Sequence, residues 1–239
     1  MAKNHFDHPL VWTRAGLAVG ARMAVPAMPV MALFSMAFGA YAAQKDFTLW
    51  VATLMTTLMF AGASQFVAVD IWVHPMTGPT IVTLALVAAT VNLRFFLIGA
   101  SLRAWLGGLP AWKIYPALVV LTEPGWLMAL RYREEGGSDT AIVLGSGFVL
   151  WLVWIAGTVA GFLIGAAVAD PQRYGLDVIL PVFFTALLVP MWRGARAAVP
   201  WAVAGIAALV AAWALPGGWY IIIGTIAGAI AGGMQDERA

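Results

Sequence analysis

Residues 80–106 read TIVTLALVAATVNLRFFLIGASLRAWL. The run is long enough to cross a bilayer as a helix, which takes about 20 apolar residues. Yet Arg94 sits in its middle, with Asn92 two positions before it. A permanent cation at that depth is costly unless it is paired or hydrated, and it commonly faces a cavity. So this stretch predicts a membrane-spanning helix and a polar site within it.

Composition agrees with the membrane reading. The chain has 239 residues, 62% hydrophobic and 10% charged, with a mean hydropathy of +0.89. A soluble domain is nearer half apolar and a quarter charged. So few polar groups cannot cover this much apolar surface, and lipid must cover part of it. The chain has no cysteine, so disulfides, thiol nucleophiles and thiolate metal sites are excluded. The net charge is +2 and the pI about 9.2. These reflect a few loop cations rather than a nucleic-acid footprint, and no nucleic-acid partner is expected. The polar residues 1–13 lack an apolar core and a small-residue cleavage site, so no cleaved signal is expected.

Working outward, apolar windows predict an all-α transmembrane bundle of seven to eight helices, some broken at Pro or Gly. The first covers 16–43 and carries Pro26 and Pro29, which should kink it. The second covers 47–73, the third 80–106, and the fourth 114–130, interrupted by Glu123-Pro124-Gly125. The fifth covers 140–169, the sixth 178–192, the seventh 200–215 and the eighth 219–234. We read 1–239 as one integral membrane transporter domain, with polar tails at 1–13 and 235–239. No repeat is legible. MPVMALF at Met28 and LPVFFTALL at Leu180 share only a Pro-Val before an aromatic-containing run, which is compatible with an inverted repeat.

With eight spans and the N-terminus inside, Lys3, Arg14, Arg22, Arg131, Arg133, Arg193, Arg196 and Arg238 lie inside. Lys45, Arg103, Lys113 and Arg173 lie outside. The excess predicts cytoplasmic termini, with Arg103 and Lys113 as exceptions. Glycines at four-residue spacing (Gly16/Gly20, Gly157/Gly161/Gly165, Gly224/Gly228/Gly232) predict close helix packing inside the bundle. The 12 Trp, among them Trp50, Trp105 and Trp112, read as interface anchors.

Three polar groups fall at membrane depth. Arg94 and Asn92 lie on the third span, Thr122 and Glu123 on the fourth, and Ser64 and Gln65 on the second. Counted from the turn near 108–111, Arg94 and Glu123 both lie about 20–23 Å along their helices, at 1.5 Å per residue. They could meet across an antiparallel contact. Pro124 and Gly125 loosen the helix beside Glu123, and broken helices at midplane expose backbone groups that bind ions or zwitterions. Candidate substrate contacts are therefore Ser64, Gln65, Asn92, Arg94, Thr122 and Glu123, with Phe66 and Phe95 as apolar neighbours. Glu123 is the candidate for proton coupling. The alternative is an Arg94–Glu123 clamp that only fixes packing. No nucleotide loop, metal-binding set or nucleophile–base set is present in the sequence, so neither catalytic residues nor a cofactor nor a metal are expected.

These landmarks resemble the AzlC-type family of branched-chain amino-acid exporter subunits. The resemblance rests on MAFGAYA (Met36 to Ala42), FAGASQF (Phe60 to Phe66), VNLRFFLIGASL (Val91 to Leu102), the Leu109-Pro110…Trp112 turn and VLTEPGW (Val120 to Trp126). Two positions depart from the family pattern: Phe95 follows the Asn-Leu-Arg triplet, and Pro124 replaces a second acidic residue. The resemblance implies a bacterial inner-membrane exporter of small apolar amino acids such as valine, leucine and isoleucine. It also implies a small AzlD-type membrane partner. The alternative is a non-transporting scaffold subunit of a membrane complex.

Overall fold

The computed structural model describes residues 11–72, 77–167, 185, 194, 198–215 and 218–236. Apart from residues 185, 194 and 198, the expected sixth span and the loops around 170–177 and 193–198 lie outside the described residues, as do most of both tails and His5, His8 and His74. Among the described residues the chain is built of α-helices: α1 Arg14–Ala24, α2 Met28–Gln44, α3 Leu49–Leu58, α4 Gly62–Asp70, α5 Gly78–Ser101, α6 Arg103–Leu106, α7 Ala111–Val119, α8 Glu123–Glu134, α9 Ala141–Ala167, α10 Ala198–Ala214 and α11 Trp219–Asp236. Among the described residues three apolar stretches are long enough to cross a membrane: Arg14–Gln44, Gly78–Ser101 and Ala141–Ala167. This is a helical integral membrane protein. Two compact units divide it, one of Met1–Gly62 with Arg94–Ala169, the other of Ala63–Leu93 with Asp170–Ala239.

In the first unit α9 is the central post. The expected kink is present: Val25–Ala27 forms one tight 3-10 turn between α1 and α2. Pro26 lies at the start of that turn and Pro29 in the first turn of α2, positions where a missing N–H leaves no bond unmade. The Gly157/Gly161/Gly165 stripe faces α2. A Cβ on Gly161 would stand 2.5 Å from the Met36 Cα, and one on Gly165 2.6 Å from the Ala40 Cα. Contacts rise together along both helices, so α2 and α9 run parallel. Gly20 and Gly145 do the same between α1 and α9. Lipid supplies no hydrophobic drive between helices, so this close approach is where their van der Waals cohesion comes from.

One carboxylate ties the beginnings of α1 and α9. Asp139 accepts hydrogen bonds from the Thr13 backbone N–H at 3.2 Å, from the Thr13 hydroxyl, and from the Ala141 N–H at 3.0 Å. The Thr13 hydroxyl in turn caps α1 by accepting from the Gly16 N–H at 2.9 Å. Gly16 has no Cβ, and one there would overlap the Asp139 carboxylate. Backbone bonds from Val11 to Ser138 and from Thr140 to Val11 complete the tie.

The fourth span departs from expectation. Residues 114–130 do not form one crossing helix. The chain unwinds at 120–122, and α7 and α8 have 9 and 12 residues. At 1.5 Å per residue these span about 13 and 18 Å, well short of a ~30 Å core. Their outer ends lie together. Lys113, at the start of α7, is 5.5 Å from the Trp12 ring that precedes α1. Tyr132, near the end of α8, is 6.4 Å from the Trp105 ring on α6. Leu102, Trp105, Ala117, Ala129 and Ile142 share one core cluster. Trp105 is thus a core residue, 3% exposed, and not the interface anchor expected from sequence, whereas Trp50 and Trp112 are exposed.

The second expected span is also broken, at 59–61, between α3 and α4. Trp154 of α9 packs over this point, its ring 6.2 Å from Phe60 and 5.7 Å from Phe34. A Cβ on Gly62 would stand 2.6 Å from that indole. The Trp151 indole N–H donates to the Thr57 carbonyl at 3.2 Å, satisfying an acceptor that the end of α3 leaves open.

In the second unit α10 and α11 form an antiparallel pair. A Cβ on Gly224 would stand 2.9 Å from the Ala208 Cβ, and one on Gly228 2.8 Å from the Ala204 Cβ. Gly218 meets Val87 of α5 and Ile71. Each of the three glycine stripes therefore serves internal helix packing.

Candidate functional site

The break between α7 and α8 builds the first unit's site. Thr122 is extended (φ −126°, ψ 167°), and its hydroxyl accepts from the Gly125 N–H at 3.2 Å. That is an N-cap. Glu123 and Pro124 occupy the first helical positions, where a proline is tolerated and a carboxylate meets the positive end of the helix dipole. The unwound backbone is seated on α9: a Cβ on Gly147 would overlap the Val120 carbonyl oxygen and stand 2.6 Å from the Val120 Cγ2. Ser146, beside it, donates to the Ile142 carbonyl at 2.9 Å.

Glu123 so placed receives Arg94. The Arg94 guanidinium and the Glu123 Oε1 are 2.7 Å apart, with side chains 35% and 41% exposed. The guanidinium carbon lies 5.1 Å from the Phe95 ring centroid. The Arg94 Nε is buried and has no hydrogen-bond partner. Guanidinium offers five N–H donors in a fixed fork suited to a carboxylate. Arg94 therefore pairs at one end and keeps a buried donor unsatisfied. One turn along α8, the Trp126 indole N–H donates to Ser101 Oγ of α5 at 2.9 Å. From Arg94–Glu123 to Ser101–Trp126 the contacts rise together, so α5 and α8 run parallel. The two charges meet as their level in the sequence suggests, but not on the antiparallel helices expected.

The second unit holds the other expected polar residues. Ser64 Oγ donates to Asn92 Oδ1 at 2.7 Å, linking α4 to α5. Ser64 is 1% exposed, and Gln65 and Phe66 are fully buried. Ser64 and Asn92 are thus brought together, as are Arg94, Phe95, Thr122 and Glu123. Sequence reasoning missed Gly147, Ser101 and Trp126. The pattern Thr122-Glu123-Pro124-Gly125 carried a helix-start signal that could have located the break, a threonine cap followed by an early acid and proline.

The family described as AzlC protein matches residues 26–168, more than half of the chain. Two relatives from Helicobacter pylori, both described as uncharacterised membrane proteins, are similar over 162 residues. The one from strain J99 is 26% identical and the one from strain 26695 is 25% identical; in each case 67% of this chain and 69% of the relative are covered. No solved structure matches. The chain belongs to the AzlC family.

Proposed function

We propose that this AzlC-family protein is a secondary transporter. It exports small apolar, mainly branched-chain amino acids across the bacterial inner membrane, in association with a small AzlD-type membrane subunit that does not form the path. The observation that carries this reading is the half-satisfied Arg94, paired with Glu123 at a broken helix yet holding a buried, unpartnered Nε. A zwitterion has two complementary poles. Its carboxylate suits the Arg94 fork and its ammonium suits Glu123, while Phe95 offers apolar surface. Thr122 holds the helix start that aims Glu123. On the second unit, Ser64, Gln65, Phe66 and Asn92 are the candidates for substrate contact. Export would be driven by the proton or amino-acid gradient, with Glu123 as the proton carrier.

A second reading makes the chain a scaffold whose partner supplies the path. The closed 2.7 Å ion pair favours it, because a clamp has the same geometry. Counterflow of radiolabelled valine separates the two. Purified chain alone, in liposomes preloaded with valine, accumulates label if it is the transporter. Accumulation only after a small partner subunit is added identifies the scaffold.

A further inference from the structure

We propose that residues 102–140 form a re-entrant hairpin, entering and leaving the bilayer on the face where α1 begins, and that this face is cytoplasmic. The inference goes beyond the transport reading and does not depend on it. A crossing helix must deliver its two ends to opposite faces. Here the start of α7 and the end of α8 reach the same end of the first unit. Lys113 lies over Trp12, Tyr132 lies beside Trp105, and Asp139 is bonded to Thr13. Direction agrees. α8 runs parallel to α5 and antiparallel to α9, whereas a helix continuing down from the 107–110 turn would run antiparallel to α5. Irregular backbone at membrane depth is tolerated only where protein or water covers it. The unwound Val120 lies against Gly147 of α9, and Thr122 is 7% exposed.

The charge distribution then falls into one pattern. The Lys113–Trp12 contact puts Arg103 and Lys113 on the face that holds Arg14, and the hairpin adds Arg131 and Arg133 to it, while Lys45 ends α2 at the other; with Arg14–Gln44 and α5 each crossing, the broken segment of α3 and α4 then returns to the face it left. Arg103 and Lys113 were the exceptions to a cytoplasmic N-terminus when 47–73 was read as a crossing. Among the described helix-end cations of this unit, Lys45 alone then lies on the opposite face from Arg14, Arg103, Lys113, Arg131 and Arg133, and the cation-rich face is the cytoplasmic one. Glu123 lies 11 positions before the end of α8, and Arg94 lies seven before the end of α5. At 1.5 Å per residue the pair sits about 10–16 Å from that face, in the cytoplasmic half of the bilayer. An exporter with this layout meets its substrate on the side from which it is taken.

The natural chain has no cysteine, so single-cysteine variants need no background removal. Ala111→Cys, Glu134→Cys and Lys45→Cys all place the thiol at exposed positions. Each would be exposed to a membrane-impermeant maleimide in right-side-out and in inverted vesicles. Labelling of 111 and 134 in inverted vesicles only, with 45 labelled in right-side-out vesicles only, is the expected result. Labelling of 111 and 134 from opposite faces overturns the hairpin. Labelling of both from the outer face overturns the cytoplasmic assignment. Because labelling reads topology and not flux, a failure here is distinct from a failure of the transport reading.

Discussion

Gly147→Ala should cripple transport without unfolding the protein. Its new Cβ would stand 2.6 Å from the Val120 Cγ2 and 3.0 Å from the Val120 carbonyl carbon. Ordinary carbon contacts are about 3.5–4.0 Å, so the break must withdraw from α9 by about 1 Å. Glu123 starts a helix three residues beyond Val120 and moves with it. The 2.7 Å Arg94–Glu123 bond then lengthens past the ~3.2 Å reach of a good hydrogen bond. Overpacking of this kind costs about 1–3 kcal/mol, and a 1 Å misplacement of binding groups can cost on the order of 100-fold in rate. The control is Gly145→Ala, two positions earlier on α9. Its Cβ would stand 2.9 Å from the Leu17 Cα of α1, a comparable clash away from the break. The assay is initial valine counterflow per folded protein, with melting temperature measured in parallel. Both variants should melt lower, but only Gly147→Ala should lose roughly 10- to 100-fold of its rate. Equal rates per folded molecule would refute the claim that Gly147 sets the position of Glu123.

Three further perturbations probe neighbouring parts. Thr122→Ala removes the cap of α8 and should cost about 1 kcal/mol in thermal stability, with Thr122→Ser recovering most of it. Asp139→Ala unties the beginnings of α1 and α9 and should cost about 1–2 kcal/mol, read as a lowered melting temperature; no change would mean the Thr13 contacts carry nothing. Glu123→Gln should abolish efflux driven by a pH gradient while leaving valine exchange measurable, and unchanged proton-driven efflux would remove Glu123 from the coupling role.

What the sequence made legible was what backbone chemistry or charge cost enforces locally. Pro26 and Pro29 announced the 3-10 turn because proline cannot continue a helix hydrogen-bond ladder. Arg94 and Glu123 announced each other because neither charge is tolerable alone at depth. The glycine stripe of α9 announced the close approach of α2. The break at 59–61 was not legible, since no proline marks it and its cause is tertiary: Trp154 over Gly62, and Trp151 holding the Thr57 carbonyl. Nor was the direction of α7 and α8. Residues 114–130 have the length and hydropathy of a crossing, and hydropathy counts residues without recording where a chain turns back. Asn92 and Arg94 read as one group, yet residues two apart on a helix do not share a face, and each takes its partner within its own unit.

The transport reading stands or falls on whether Arg94 is kept for substrate rather than for packing. Counterflow of radiolabelled valine through wild type, Arg94→Lys and Arg94→Ala tests it, with folding checked by size-exclusion profile. Wild type should exchange valine. Arg94→Lys should lose most of that exchange because the carboxylate-matching fork is gone, and a well-folded Arg94→Ala should show none. Normal exchange by a folded Arg94→Ala would contradict a substrate role for the arginine.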